Sequence, residues 1–155
     1  MMTDELQFKI ACAEDLPEIV RLLIQDQLGS TREVLTDPLP QVYLEAFEAM
    51  ESQPGNDYIV GAINDRIVCC YQFTVIHGIS RSGSSRAQIE GVRVDSSMRG
   101  QNIGKRLMAD AIERAQANRC QLLQLTTDKS RPDAHRFYEG AGLTASHIGY
   151  KVDIT

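Results

Sequence analysis

The residues with the clearest chemical potential run from Val92 to Lys105: Val-Arg-Val-Asp-Ser-Ser-Met-Arg-Gly-Gln-Asn-Ile-Gly-Lys. A β-rich run ends here, a polar stretch containing Gly100 follows, and an apolar stripe of helical period begins at Ile103, with Gly104 beside it. That order predicts a strand, a loop and a helix start. Glycine lets a backbone approach a ligand closely. The unbonded amides and the positive dipole end of a helix N-terminus suit a pyrophosphate. Arg99 and Lys105 add positive charge at that end of a chain whose formal net charge is −5. Glycine spacing alone would serve a tight turn equally well. The segment is not a dinucleotide fingerprint, because it lacks G-x-G-x-x-G and no glycine-rich turn follows the first strand. It is not a Walker loop either, because no G-K-[ST] closes it.

Two further side chains could move protons. Tyr138 lies in Asp133-Ala134-His135-Arg136-Phe137-Tyr138-Glu139; a phenol, with a reference pKa of about 10, is still a donor at neutral pH. The plainer reading of Tyr138 is a core aromatic on a short helix. Glu90 lies in Gln88-Ile89-Glu90-Gly91-Val92. An amine of pKa near ~10 is mostly protonated at neutral pH, and a carboxylate can take that proton. A structural ion pair is the equal alternative for Glu90. His77 ends a central strand and could face the acceptor amine, with a surface or satisfied residue as the plainer reading; His135 reads as lining its helix, and His147 has no nameable partner. Cys12, Cys69, Cys70 and Cys120 show no metal spacing and no C-x-x-C. They read as reduced small core residues, with Cys69 and Cys70 facing opposite sides of a strand. Neither a nucleophilic cysteine nor a metal is expected.

The elements that must position these groups follow from periodicity and breakers. A strand over 8–12 precedes a helix marked by Leu16, Ile19, Val20 and Leu23, with Asp15 as its N-cap and Pro17 in its first turn. Residues 29–40 predict a loop, and Tyr43, Phe47 and Met50 mark a second helix. Strands follow over 58–63, 66–77 and 87–94, joined by an Asn64-Asp65 turn and a flexible loop over 78–85. Ile103, Leu107, Met108, Ala111, Ile112 and Ala115 trace one helical stripe. A strand over 122–127, a short helix over 133–139 and a final strand over 145–154 complete the chain. A meander first and crossovers later predict an α/β (α+β) protein: a mixed, mostly antiparallel twisted sheet with helices on both faces.

The 155 residues suffice for one compact domain, 1–155, with a core. A hydrophobic share of 43% and a charged share of 24% are ordinary for a globular chain. The acidic balance argues against nucleic acid as a partner. No apolar run is long enough to cross a bilayer, so no membrane partner is expected. The opening Met-Met-Thr-Asp-Glu-Leu-Gln has the form of neither a signal nor a transit peptide, so a cytoplasmic address follows by default.

The stretch Arg99-Gly100-Gln101-Asn102-Ile103-Gly104 resembles the Q/R-x-x-G-x-G/A pyrophosphate loop of the GNAT acetyltransferases, with Asn102 where that family has its central glycine. Arg131 to Leu143 is similar to the family's N-x-x-A-x-x-F-Y-x-x-x-G-F helix. Ala134, Phe137, Tyr138 and Gly142 match; Arg131 replaces Asn and Leu143 replaces Phe. The opening segment, with Ile10, Ala11, Asp15, Leu16 and Ile19, also looks like the family's own. The resemblance implies an N-acetyltransferase with acetyl-CoA as co-substrate and no metal. The acceptor would be a small-molecule amine, with a protein or peptide amine, or an acyl-CoA-binding module without turnover, as alternatives. By the same resemblance the Val92 amide would polarise the thioester carbonyl, and Arg93 and Val94 would hold the pantetheine through their backbones. Residues 99–105 would hold the pyrophosphate, Arg131 would face the pantetheine arm, and Tyr138 would serve the departing sulfur. Family members are often dimers, so a homodimer is compatible with it.

Overall fold

The computed structural model describes residues 5–155. Residues 1–4, part of the opening stretch expected to carry no targeting signal, lie outside the described residues. The chain divides into two compact units, the first ending at Gln124 and the second spanning Leu125–Thr155.

In the first unit, β1 (Gln7–Ile10) is followed by a 3-10 turn (Ala13–Asp15) that runs into α1 (Leu16–Leu23). Asp15 does not cap α1 as expected: its own backbone is already helical, at φ −80° and ψ −13°. Its carboxylate instead accepts from the Cys12 amide at 3.0 Å, closing the 3-10 turn from its far end. Leu16, Ile19, Val20 and Leu22 are buried, with Leu23 packed at the edge of the core. A short helical turn, α2 (Gly29–Arg32), interrupts the expected loop. Asp26 Oδ1 accepts from the Gly29 amide at 2.5 Å, and a Cβ at Gly29 would stand 1.7 Å from the Leu23 carbonyl oxygen, so only glycine fits. In α3 (Gln41–Glu51) only Phe47 is buried. Tyr43 turns to the preceding loop, accepting from the Val34 amide and donating to Glu33.

The meander is β2 (Asn56–Ile63), β3 (Arg66–Ile76) and β4 (Arg86–Val94). Asn64 and Asp65 turn the first hairpin at positive φ, 49° and 63°. The second connection holds a helical turn, α4 (Ser80–Gly83), in which Arg81 and Ser82 are left-handed. Then come α5 (Ile103–Ala117) and β5 (Leu122–Gln124), shorter than expected. The sheet order is β1-β2-β3-β4-β5, antiparallel except for the parallel β4–β5 pair. It is the mixed sheet anticipated from the element order.

Successive side chains of β3 point to opposite faces. Cys70 packs with Val60, Leu16, Ile19, Leu22 and Phe47, so α1 and α3 cover one face. Tyr71, fully buried, donates to Asp110 of α5 at 2.5 Å, so α5 covers the other. Ile112, read into the α5 stripe, is in fact 39% exposed. Cys69 and Cys70 are buried as expected, but Cys12 is exposed and Cys120 half-buried; all four are free thiols.

In the second unit, α6 (Pro132–Gly140) stops at Ala141, with Gly142 left-handed at φ 94° and the Leu143 amide donating to the Tyr138 carbonyl. No strand forms over residues 145–154. Alternation in a sequence names a face but not a partner strand, and a strand exists only with a ladder.

Candidate active site

The sequence of β4 puts a break in its own ladder. Cys70 pairs with Arg93 and Gln72 with Glu90, so Gly91 and Val92 together stand against Tyr71 alone. This is a β-bulge, whose extra residue is left out of the ladder. Gly91 takes φ +59°, and a Cβ there would lie 2.7 Å from the Tyr58 hydroxyl. A side chain at Gly91 is therefore doubly excluded. On its other side β4 pairs with β5 only from Arg86 to Gln88. From Ile89 onward, among the described residues, that edge of β4 has no strand partner. A bulge on one side and an open edge on the other interrupt the regular pairing around Val92, and Glu90 is exposed beside it.

Beyond β4 the chain is moored by Asp95. Its amide donates to the Val68 carbonyl at 2.7 Å. Its carboxylate is 2% exposed, accepts from the Ser97 amide and hydroxyl, and meets Arg21 of α1 at 2.9 Å and Arg66 of β3 at 3.3 Å. Burial pushes this carboxyl up. The Ser97 amide, the Arg21 guanidinium and the Ser97 hydroxyl outweigh that, leaving its pKa at about 2. The Ser96 amide is held in turn by Gln25 Oε1 at 2.9 Å. Sequence reasoning missed Asp95; the signal was local, an Asp two residues before a Ser, which favours a side-chain turn.

The moored turn leads into two left-handed residues, Gly100 at φ 81° and Asn102 at φ 61°. Asn is among the side chains that tolerate this conformation, so the loop closes without the central glycine. A Cβ on Gly100 would meet nothing within 4 Å. The first α5 hydrogen bond runs from the Arg106 amide to the Asn102 carbonyl, so the amides of Ile103, Gly104 and Lys105 lie ahead of the ladder. Gln101, Arg99 and Lys105 are exposed around them. Three N–H groups, a dipole end and two cations form a donor set that fits a pyrophosphate.

The Arg93 side chain has a task of its own, which the sequence did not disclose. It pairs with Asp26 at 2.9 Å and donates to the Val92 carbonyl at 2.9 Å, tying the bulge to the loop after α1. Burial pushes the Cys69 and Cys70 thiols up to about 12, so both stay protonated and neither is a ready nucleophile. Tyr58 is driven well above its ordinary value, chiefly by burial, and remains a neutral phenol. His77 Nδ1 lies 2.7 Å from the Ser85 hydroxyl, a satisfied strand-end histidine. Among the described residues no group of three or more His, Cys, Asp or Glu side chains could hold a metal. None of the helices among them is long and apolar enough to cross a membrane.

In the second unit, the Arg131 amide donates to the Asp128 carbonyl, and His135 Nε2 lies 2.9 Å from that same carbonyl oxygen, fixing the start of α6. Phe137 and Tyr138 meet edge to face, with ring centroids 5.2 Å apart. His147 Nδ1 lies 2.6 Å from the Ser146 hydroxyl, a partner that the sequence did not suggest.

This fold, with a bulged strand opening into a glycine loop at a helix start, is shared by known proteins. The chain belongs to the acetyltransferase (GNAT) family, whose model matches residues 20–143. By that match the chain is grouped with acetyltransferases, a family that uses acetyl-CoA as co-substrate. It is 41% identical over 63 residues to an aminoalkylphosphonate N-acetyltransferase of Salmonella typhimurium (strain LT2). That match covers 41% of this chain and 41% of the enzyme's length, well under half of each. Among solved structures, a transcriptional regulator from Bacillus halodurans C-125 is 44% identical, covering 97% of this chain and 100% of that one, with a TM-score of 0.92. A Trypanosoma brucei acetyltransferase is 25% identical, covering 97% and 100%, with a TM-score of 0.76.

Proposed function

We propose that the protein transfers the acetyl group of acetyl-CoA directly to a primary amine of a small-molecule acceptor, within a ternary complex. The observation that carries this reading is the β4 bulge at Gly91–Val92, with Glu90 exposed on one side of it and the moored loop on the other. The reading takes residues 1–155 as one catalytic domain.

The loop amides of 103–105, with Arg99, Gly100, Gln101 and Asn102, hold the pyrophosphate. The backbones of Arg93 and Val94 hold the pantetheine, with Arg131 toward the same arm. The Val92 amide donates to the thioester oxygen; one preorganised donor of this kind is worth about 3 kcal/mol in other enzymes. Glu90 accepts the proton that the ammonium must lose before attack, directly or through water. The amine nitrogen then bonds to the carbonyl carbon, the carbon–sulfur bond breaks, and Tyr138 supplies a proton to the leaving sulfur. The protonated Cys69 and Cys70 thiols support direct transfer over an acyl-cysteine route. The Salmonella relative, which by its name acetylates an aminoalkylphosphonate, supports a small acceptor.

The test is release of free thiol from acetyl-CoA across a broad amine panel, repeated with Glu90→Gln. The variant should lower turnover and remove the low-pH limb of kcat/KM, with acetyl-CoA affinity unchanged. A second reading, an acyl-CoA-binding module without turnover, draws on the regulatory name of the Bacillus halodurans protein. Acyl-CoA binding with no thiol release from any amine would select it.

A further inference from the structure

The sheet face that carries Cys70 changes character part-way along β3. Cys70, Gln72 and Thr74 share that face, and the register places Val60, Tyr58 and Asn56 opposite them on β2. On β4, Glu90 stands opposite Gln72 and Gln88 opposite Thr74; on β5, Gln124 stands beside Gln88. At the level of Val60 and Cys70 this face is fully buried core. One pleat further out it becomes a half-buried strip of amides and a hydroxyl: Asn56, Gln72, Thr74, Gln88 and Gln124. On the opposite face at the same level β3 and β4 present closed apolar core, with Phe73, Ala87 and Ile89 at 0–3% exposure. The same strands thus bury one side as core and keep the other polar.

The strip is already ordered by its own hydrogen bonds. Asn56 Oδ1 accepts from Gln72 Nε2 at 2.9 Å and from Thr74 Oγ1 at 3.2 Å, and Asn56 Nδ2 donates to Gln53. Gln124 Nε2 donates to Gln88 Oε1 at 2.9 Å. These bonds fill the Asn56 side-chain oxygen and orient the three glutamines. Gln72 Oε1, Gln88 Nε2 and Gln124 Oε1 keep capacity for a further partner, a mixed set of acceptors and donors. Its one charged member is Glu90, at the end next to the bulge. Arg86, the next residue outward on this face of β4, holds Nη1 3.7 Å from where a Cβ on Gly78 would stand, over the loop rather than the strip.

We infer that this strip is the acceptor surface, and that it selects a primary amine whose body carries hydroxyl or amide groups and no second charge. The inference rests on the proposed role of Glu90, since the amine must end beside that carboxylate. A preordered row of half-buried amides favours a ligand that hydrogen-bonds to it, because an apolar body would leave those groups unpaired. The two cations that flank the strip on this face of β4 are directed elsewhere, Arg93 to Asp26 and Arg86 toward Gly78, and none lies among the strip residues to pair with an anionic group.

The test compares kcat/KM of the full chain, with acetyl-CoA, for D-glucosamine, 3-amino-1,2-propanediol, hexylamine, 1,4-diaminobutane and 2-aminoethylphosphonate. The two hydroxylated amines should lead hexylamine by roughly a hundredfold, within the range expected when half-buried polar groups lose a partner. Gln88→Leu and, separately, Gln72→Leu should raise KM for the hydroxylated amines about tenfold or more. KM for acetyl-CoA should stay unchanged in both, with only a modest fall in melting temperature from the lost Gln72–Asn56 or Gln88–Gln124 bond. Preference for hexylamine, the diamine or the phosphonate overturns the inference while leaving acetyl transfer standing. So does an unchanged amine KM in both variants. Thiol release with none of the amines overturns acetyl transfer itself; calorimetry of D-glucosamine against wild type and Gln88→Leu then still decides the strip, and equal or absent binding overturns it.

Discussion

Asp95→Asn isolates the mooring of the loop proposed to hold the cofactor. The substitution keeps the shape and one acceptor oxygen but removes the charge that Arg21 and Arg66 meet. The carboxyl falls from an ordinary value of 3.8 to about 2 in the fold. At roughly 1.4 kcal/mol per pKa unit, that is about 2 kcal/mol of stability tied to ionisation. Because the folded value lies below the unfolded one, the contribution is complete above about pH 4 and disappears as pH falls through about 2. Urea denaturation from pH 7 down to 2 reads it directly. At pH 7 the variant should be about 2 kcal/mol less stable, a melting shift of roughly 5–8 °C for a chain of this size. The gap between the two proteins should close as the acid is titrated. Other depressed carboxyls, Asp15 among them, are common to both proteins and cancel in the difference. Arg21 keeps Glu18 at 2.8 Å and the Ile67 carbonyl at 3.1 Å, so α1 itself should survive. Amide exchange should quicken in the variant at Ser97, whose amide bonds the carboxylate, and less at Met98, whose amide bonds the Asp95 backbone carbonyl in the same turn. A constant gap from pH 7 to 2, or none at pH 7, would refute the mooring argument.

Gly91→Ala should cost about 2–3 kcal/mol, from positive φ together with contact on the Tyr58 hydroxyl, and only about 1–2 in a Tyr58→Phe background, where the conformational part remains; equal costs in both backgrounds would remove the contact from the account. Gly104→Glu should abolish acetyl-CoA binding measured by calorimetry without unfolding the domain, and Asn102→Gly should leave affinity equal or better; a large loss with Asn102→Gly would mean that the Asn side chain itself holds the ligand. Tyr138→Phe should lower kcat roughly 10²-fold with acetyl-CoA affinity and melting temperature unmoved; full kcat with lost stability would make Tyr138 a packing residue.

What the sequence disclosed and what it hid divide by range. The Asn64-Asp65 turn, the stripe that buries Ile103, Leu107, Met108, Ala111 and Ala115, and the glycine loop are written in neighbouring residues, and they were legible. The Asp95–Arg21 pair joins positions 74 apart, and nothing local to either announces the other. The bulge is equally remote in origin: Gly91 reads as a lone strand glycine until Tyr58 is placed beside it. Gly29 opens the stretch expected as a loop, whereas Asp26 and the Leu23 carbonyl make it start a helical turn. The amide strip was hidden because Gln88 and Glu90 alternate with Ile89 as in any half-buried strand. Only the register shows that Gln72, Thr74 and Asn56 line up with them.

That register also explains how an unladdered stretch of backbone persists at the site. A left-handed glycine and a skipped pairing survive only where the surroundings over-determine them. Here β4 is laddered to β3 before the bulge, from Arg86 to Glu90, and again after it, at Arg93 and Val94. The Asp95 amide on the Val68 carbonyl then continues the pairing one step beyond the strand. Arg93 adds a side-chain tie through Asp26. The bulge is thus clamped from both ends by the strand that it interrupts, and the loop is clamped by a carboxylate set just past the second clamp. The two devices are mechanically in series but separately fastened. Loss of Asp95 should therefore loosen the loop proposed to hold the pyrophosphate while the Val92 amide keeps its place. In an Asp95→Asn enzyme the KM for acetyl-CoA should rise well before kcat at saturating acetyl-CoA declines.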